Sequence, residues 1–429
     1  MKIITNTKLC PILSAKIMAQ SREEVPVILQ FNDKSTNLKE NMNIVSTKIK
    51  SNLPLINGFA GYMTTESIYR IINSPEVDYI SFDSQVYTLL DIATPAMDAY
   101  FPHDKGYEGK DITIAVIDTG VEPHEDLTRP VNRIIGFKDL VLNRDIPYDD
   151  NGHGTHVSGI IAGNGFSSKG KYTGVAPKAN ILSIKALNKD GGGNISDIIA
   201  AISYIVDTKD KYNTKIINLS LGTPANSACD KDPLCKAVKM AVDAGLIVVT
   251  AAGNSGPSAG TILSPGISKD VITVGAVDDK RTIDTSDDTI APFSSRGPTS
   301  EGLIKPDIVA PGVNINSLSN TNLNGYSSLS GTSMATPLVS GSIALLLNKY
   351  GELSPKEIKD KVIASCIDLK ESKSDQGSGM LNLKRLFNDG IKESPNKVKD
   401  KGLSDLFGED MIEGLIFILI IIFLLDSRF

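Results

Sequence analysis

Cysteine is scarce in this chain: Cys10, Cys229, Cys235 and Cys366 are the only four in 429 residues, too few and too scattered for a disulfide framework. Cys229 and Cys235 lie near enough in sequence to bridge in an oxidising compartment, but small thiols in a reducing one are the expectation. Histidine is as rare, with four residues. His153 and His156 beside Asp149 or Asp150 form a possible metal pair, yet no further His or Cys is grouped with them as a closed zinc site needs, and no metal is expected. A net charge of -6 without a basic stripe excludes a nucleic-acid partner held through its phosphates. The first residues lack a secretory apolar core, because Pro11, Ser14 and Lys16 break the patch, so a cytoplasmic location is expected. The apolar run Leu415–Leu425 is too short for a ~30 Å hydrocarbon layer. It suits a membrane surface or a partner protein, and Lys397, Lys399 and Lys401 suit an anionic surface.

What is present is ordinary globular material, 41% hydrophobic and 22% charged, enough for one large domain and a small one. The boundaries read as a leader over 1–24, a small unit over 25–90, a main domain over 91–390, and a linker with the short hydrophobic tail over 391–429. In the small unit, strand-like runs at Val25–Phe31, Ile56–Thr64 and Val77–Phe82 alternate with helical spacing at Asn37–Lys50 and Thr65–Ile72. That order predicts a two-layer α+β sandwich of the ferredoxin-like kind. Ser84–Lys110, with Pro95, Pro102, Gly106 and Gly109, reads as the link to the main domain.

From Asp111 the pattern changes. Buried runs at Ile112–Ile117, Ile181–Ala186, Ile216–Leu221, Leu246–Ala251 and Val271–Val277 have helical stretches between most of them. This predicts an α/β domain with a doubly wound, mainly parallel sheet covered by helices on both faces. Ligands gather at the carboxyl ends of such strands, and the informative residues lie there. Asp118 follows the first run, His153 opens a helical stretch, Ser220 and Gly222 lie at the end of the third run, and Asn254 follows the fourth. Ser333 opens the run Leu338–Leu347, where unpaired N–H groups and the helix dipole favour a developing negative charge. Each has a plainer reading, Ser333 as a helix cap and Asp118 and Asn254 as turn residues. Together they supply a nucleophile (Ser333), a base (His153), a carboxylate to orient the base (Asp118) and an amide to stabilise an oxyanion (Asn254), the parts of acyl transfer.

The chain at this point resembles the subtilisin-like serine proteases, or subtilases. The motifs are AVIDTG at Ala115–Gly120, HGTHVSG at His153–Gly159, GVAP at Gly174–Pro177, NLSLG at Asn218–Gly222, AAGNSG at Ala251–Gly256, FSSRGP at Phe293–Pro298, KPDIVAPG at Lys305–Gly312 and GTSMATP at Gly331–Pro337. The Asp, His, Ser order is itself one known for that family. The resemblance implies a serine endopeptidase acting on polypeptides, made as a zymogen with residues 25–90 as propeptide, cut between about Asp83 and Asp91. It implies that His153 is the base and His156 structural. It places the substrate between edges at Ser220, Leu221, Gly222 and at Gly191, Gly192, Gly193. Ala252 and Gly253 then line the first pocket, with Leu263 filling a position that relatives give to glycine. Asp126 matches a calcium-ligand position, but the partner loop Phe166–Tyr172 carries Lys169 and Lys171 and no carboxylate, so calcium is not expected there. The alternative is a catalytically idle scaffold that keeps the fold and an uncut propeptide.

Overall fold

The computed structural model describes residues 8–18, 24–32, 48–83, 85–88, 100–280, 282 and 285–388. The tail Leu415–Leu425 lies outside them, as does most of the stretch 37–50. Residues 48–50 are described, and they open the strand Lys48–Leu53 where helix was expected. Pairing with Gly58–Thr64 decides their conformation over local spacing.

The main sheet follows from strands with two buried faces. Every residue of Thr113–Asp118 is buried; Ile114 and Val116 enter one core while Ala115 and Ile117 enter the other. Such a strand needs cover on both sides. Helices His153–Ala162 and Thr332–Tyr350 cover the first face, and Ile195–Tyr212 and Pro233–Asp243 the second. From one edge the strands run Cys366–Ile367, Met380–Leu381, Ile308–Pro311, Ile272–Asp278, Ile247–Ala251, Thr214–Leu219, Thr113–Asp118, Asn180–Lys185 and Ile134–Asp139. Pairings are parallel except at Cys366–Ile367 and at the short strand Thr289–Ile290. The chain winds from Thr113–Asp118 to one side and then to the other, so Asp118 ends the strand where winding reverses. This is the doubly wound architecture expected, and its reversal point is where such sheets hold ligands.

Thr332–Tyr350 is buried from its first residue through Leu347. Each large apolar side chain so buried contributes about 1.5–3 kcal/mol, which anchors the helix start against displacement.

The small unit is an antiparallel sheet of Glu24–Phe31, Lys48–Leu53, Gly58–Thr64 and Val77–Phe82 in the order second, third, first, fourth, as in ferredoxin-like folds. One face packs Val27, Leu29, Phe59, Met63 and Ile80 with Ile68 of helix Thr65–Ile71. Leu9 and Leu13, the latter on helix Pro11–Met18, enter the same core. Residues 8–18 therefore belong to this unit and not to a separate leader, because burial of Leu13 needs that sheet. The other face, through Ile28, Leu53, Ile56 and Ala60, shares a core with helices Ile195–Tyr212 and Pro233–Asp243. The first of these helices makes no side-chain cap bond from its own Asn194; Asp83 of the small unit accepts from Ser196 N–H at 3.0 Å and from its hydroxyl at 2.8 Å. This supplies in trans what a cap residue supplies in cis.

Cys229 and Cys235 are joined as a disulfide, against the expectation of free thiols, while Cys10 and Cys366 are free and buried. A turn in which the Lys231 and Asp232 N–H groups both donate to Ala228 O folds the chain back and brings the two Cα atoms to 5.5 Å. Spacing alone carried no sign of that turn.

Candidate active site

Asp118 and His153 meet as the sequence predicts. The carboxylate Oδ1 lies 2.7 Å from His153 Nδ1 and also accepts the Thr119 N–H at 2.7 Å. Both side chains are essentially fully buried. His153 is the first residue of its helix, and the loop before it is pinned by Asp149, whose Oδ1 accepts from Asn151 and Gly152 N–H and whose Oδ2 accepts from Thr155 N–H and hydroxyl. Gly154 permits the close approach: a Cβ there would lie 2.2 Å from Gly120 O and 3.1 Å from Asp118 Cβ. The Gly154 N–H then reaches Thr119 Oγ1 at 2.9 Å.

Because Nδ1–H is directed at a carboxylate, the neutral ring presents its lone pair at Nε2. That nitrogen is buried without a hydrogen-bond partner, as is Asp118 Oδ2. Buried polar atoms are nearly always paired, and an open acceptor on an imidazole oriented by a carboxylate is the feature a general base needs. His156, one turn further on, also has a buried ring nitrogen, Nδ1, without a hydrogen-bond partner, but main-chain carbonyls and not a carboxylate orient its ring. Its Nε2 faces the carbonyls of Ile315 at 3.1 Å and Ser327 at 3.2 Å, and burial, with the neighbouring His153, pushes its pKa down to about 3.

Ser333 is the second residue of helix Thr332–Tyr350. Its hydroxyl donates to Ser220 O at 3.0 Å, and no hydrogen bond joins it to His153. Of the two links expected along Asp118, His153 and Ser333, the structure makes the first and leaves the second open. Pro337, four residues on, has no N–H for the Ser333 carbonyl, and the Ser220 hydroxyl takes that place at 2.9 Å. Ser220 Oγ accepts in turn from Asn218 Nδ2 at 3.0 Å, and Asn218 Oδ1 accepts from the Ser340 hydroxyl at 2.8 Å. The sequence reading missed this chain of polar groups, although a proline at the fourth position after Ser333 was its visible sign. Asn254 Oδ1 accepts from both the N–H and the hydroxyl of Thr332 at 3.0 Å, which turns the amide nitrogen away as a free donor.

Residues 85–88 lie as a strand between the two predicted edges. Leu221 and Gly222 pair with Thr88 and Tyr87, while Gly192, Gly193 and Asn194 pair with Tyr87, Val86 and Gln85, antiparallel on both sides. Gly191, at φ 76°, makes the turn into the second edge. Leu263 lies between Gly222 and Gly253: a Cβ on Gly222 would come within 2.9 Å of Leu263 Cβ, and one on Gly253 within 2.7 Å of its Cγ. Its N–H donates to Ala252 O at 2.9 Å. The leucine thus fills the space that Gly222, Ala252 and Gly253 leave.

Both carboxylate oxygens of Asp126 have protein donors. Its Oδ1 accepts from Ser167 N–H and its Oδ2 from the Tyr326 hydroxyl, both at 2.8 Å. Its carbonyl, with those of Ala162 and Ala179, accepts from the buried guanidinium of Arg133, whose pKa burial lowers to about 10.

The model of the subtilase family, peptidase S8, matches residues 109–408. Serine protease AprX of Bacillus subtilis is 40% identical over 367 residues, covering 80% of this chain and 82% of that protein. Subtilisin DY of Bacillus licheniformis is 36% identical over 282 residues, 65% of this chain and 92% of its own. Among solved structures, fervidolysin from Fervidobacterium pennivorans, a keratinolytic enzyme related to subtilisin, has a TM-score of 0.68 at 23% identity; the match covers 86% of this chain and 61% of that one. At that identity the likeness speaks for the fold.

Proposed function

The chain belongs to the subtilase family of serine endopeptidases, and from that premise we propose that Ser333, His153, Asp118 and Asn254 hydrolyse peptide bonds through an acyl-enzyme in a protein made as a zymogen. The observation that carries this reading is the strand Gln85–Thr88, seated between the two edges as an extended peptide substrate would be. In the reaction the Ser333 hydroxyl turns from Ser220 O to His153 Nε2 and gives up its proton as Oγ attacks the scissile carbonyl. The resulting oxyanion is held by the Ser333 N–H, in the first turn where helical N–H groups lack acceptors, and by Asn254 Nδ2. His153 protonates the leaving amine, and water then attacks the acyl-enzyme with the same base. Asp118 keeps the ring in one tautomer and stabilises its charged form.

Residues 8–88 act in this scheme as the propeptide. The processing bond lies outside the described residues; the register ending at Thr88 opposite Leu221 makes Leu89–Leu90 the candidate. In a host lacking other proteases, the wild type should shorten and Ser333→Ala should stay full length; a shortened Ser333→Ala would discard self-processing. The open Ser333–His153 link is the observation on the side of an idle scaffold. A fluorophosphonate label on the wild-type serine, lost in Ser333→Ala, separates the two. We further propose that Arg133 serves where a relative would use calcium. The sequence favours the cytoplasm, whereas the Cys229–Cys235 bond favours an oxidising compartment. Thiol counting under non-reducing conditions decides between them. Association of the tail with a membrane surface or partner rests on sequence alone; deleting Glu413–Phe429 should release the protein to the soluble fraction.

A further inference from the structure

Lys185 ends the strand Asn180–Lys185, in register with Asp118 on the neighbouring strand. Its side chain is fully buried. An ammonium has three N–H donors, and here each meets an acceptor from a different segment: Thr119 O at 2.6 Å, Leu187 O at 3.0 Å and Asp150 Oδ1 at 2.5 Å. The Tyr148 ring lies 4.9 Å away.

Each acceptor belongs to a working part. Thr119 gives its N–H to Asp118 Oδ1 and takes the Gly154 N–H on its hydroxyl, so it joins the carboxylate to the first turn of the His153 helix. Asp150 stands three residues before His153. Leu187 starts the loop that returns as the edge Gly192–Asn194, with Asn188 N–H bonded to Gly192 O at 2.8 Å. Burying an ammonium is unfavourable, and a methionine would fill similar space without that cost. A cation at this crossing is therefore explained by what it holds in place. Resting on the protease reading above, we propose that Lys185 is a positioning residue for hydrolysis: it sets the Asp118–His153 pair against the substrate edge and biases the imidazole electrostatically.

The ionisable groups on the elements packed around that imidazole include Asp118 on the strand, Glu122 just beyond it, Asp149 and Asp150 on the preceding loop, His156 on its own helix and Lys185. Among the described residues Lys185 is the cation of this set. Removing it takes a positive charge from beside the Asp118–His153 pair, and the acidic limb of kcat/KM is expected at higher pH. Removing the Asp150 charge moves it to lower pH.

The test uses the full chain, turnover of a peptide anilide, and active-site titration to count competent enzyme. Lys185→Met is expected to lower kcat by about 10- to 100-fold, the scale of a small misplacement of reacting groups, and to raise the acidic limb by about half a unit. Asp150→Asn shifts that limb the opposite way, the double variant returns it toward wild type, and Lys185→Arg restores the limb. A folded Lys185→Met with unchanged kcat and limb overturns the proposal. Should that variant not fold, the half-exposed Asp150→Asn carries the test, and an unmoved limb there overturns it equally. Wild-type turnover is measured first, so a flat wild type counts against the protease reading and an unmoved variant against this one.

Discussion

Among the described residues, Arg133 and Lys185 are buried cations that each gather more than one main-chain carbonyl, and their surroundings differ. Arg133 ties the carbonyls of Asp126, Ala162 and Ala179, beside an Asp126 carboxylate whose two oxygens both have protein donors. Lys185 ties two carbonyls and the Asp150 carboxylate, beside an Asp118–His153 pair that leaves Oδ2 and Nε2 without partners. The first cluster has closed its hydrogen-bond accounts; the second keeps two atoms open. Open atoms cost stability, so the contrast separates a part that holds the fold from a part that works on something else.

That contrast can be broken by experiment. The largest effect belongs to Ser333→Ala, expected to lower kcat by about six orders of magnitude with little change in unfolding free energy. A residual rate within a factor of about ten of wild type would remove the serine from the mechanism. Arg133→Met should do the reverse, costing about 3–5 kcal/mol in denaturant unfolding because it strands the Ala162 and Ala179 carbonyls, leaves Asp126 O with the Asn164 N–H alone and removes the cation near Asp126, while kcat/KM of the folded fraction stays close to wild type. Loss of kcat/KM in folded Arg133→Met would erase the distinction.

His156 tests the ground between the two clusters. It is buried neutral with a pKa near about 3, whereas an unfolded histidine titrates near about 6.5. Below about 6.5 only the unfolded chain takes up this proton, so stability falls as pH drops from there toward 3 and then levels. At pH 5 the loss is about 2 kcal/mol. His156→Gln should flatten that part of the profile, and a variant as acid-sensitive as wild type would assign the loss elsewhere. Leu263→Gly sharpens the reactive side: opening the space between Gly222 and Gly253 should shift peptide-library cleavage from small or medium residues toward aromatic ones before the cut bond. Equal use of aromatics by both forms would remove Leu263 from the pocket. The smallest effect is a null one, since chelation should leave the melting temperature unchanged if Arg133 stands in for an ion; a sharp fall would reverse that assignment.

The residues proposed as the reactive set were legible as candidates because they sit at the ends of strongly patterned elements. Asp118 follows a run of small and branched apolar residues, and Ser333 precedes a long buried helix, so type and position agreed. The edge strand Ile134–Asp139 was not among the runs read, since only Ile134 and Asp139 are buried and Ile135 is 38% exposed. A strand covered on one face gives a weaker signal than a central one. The helix Pro11–Met18 reads as part of a leader in sequence because nothing local reveals that Leu13 has a sheet to pack on. Lys185 and Arg133 escaped notice for a common reason: their sequence surroundings do not tell a buried cation from a solvated one, and only the acceptors that converge on it do. The same applies to the Cys229–Cys235 pair, which depends on a turn built by backbone bonds.

The strand Gln85–Thr88 is part of the same chain as the edges it occupies, and this sets the terms on which any peptide can enter. On the zymogen reading proposed above, a tethered competitor acts at an effective concentration of about millimolar whatever the protein concentration, so substrates present at micromolar levels would be shut out while the tether lasts. Once the link is cut, the same strand becomes a separate molecule that dilution can carry away. The severed protein should therefore gain activity per molecule as it is diluted, a dependence that no uncut chain can show.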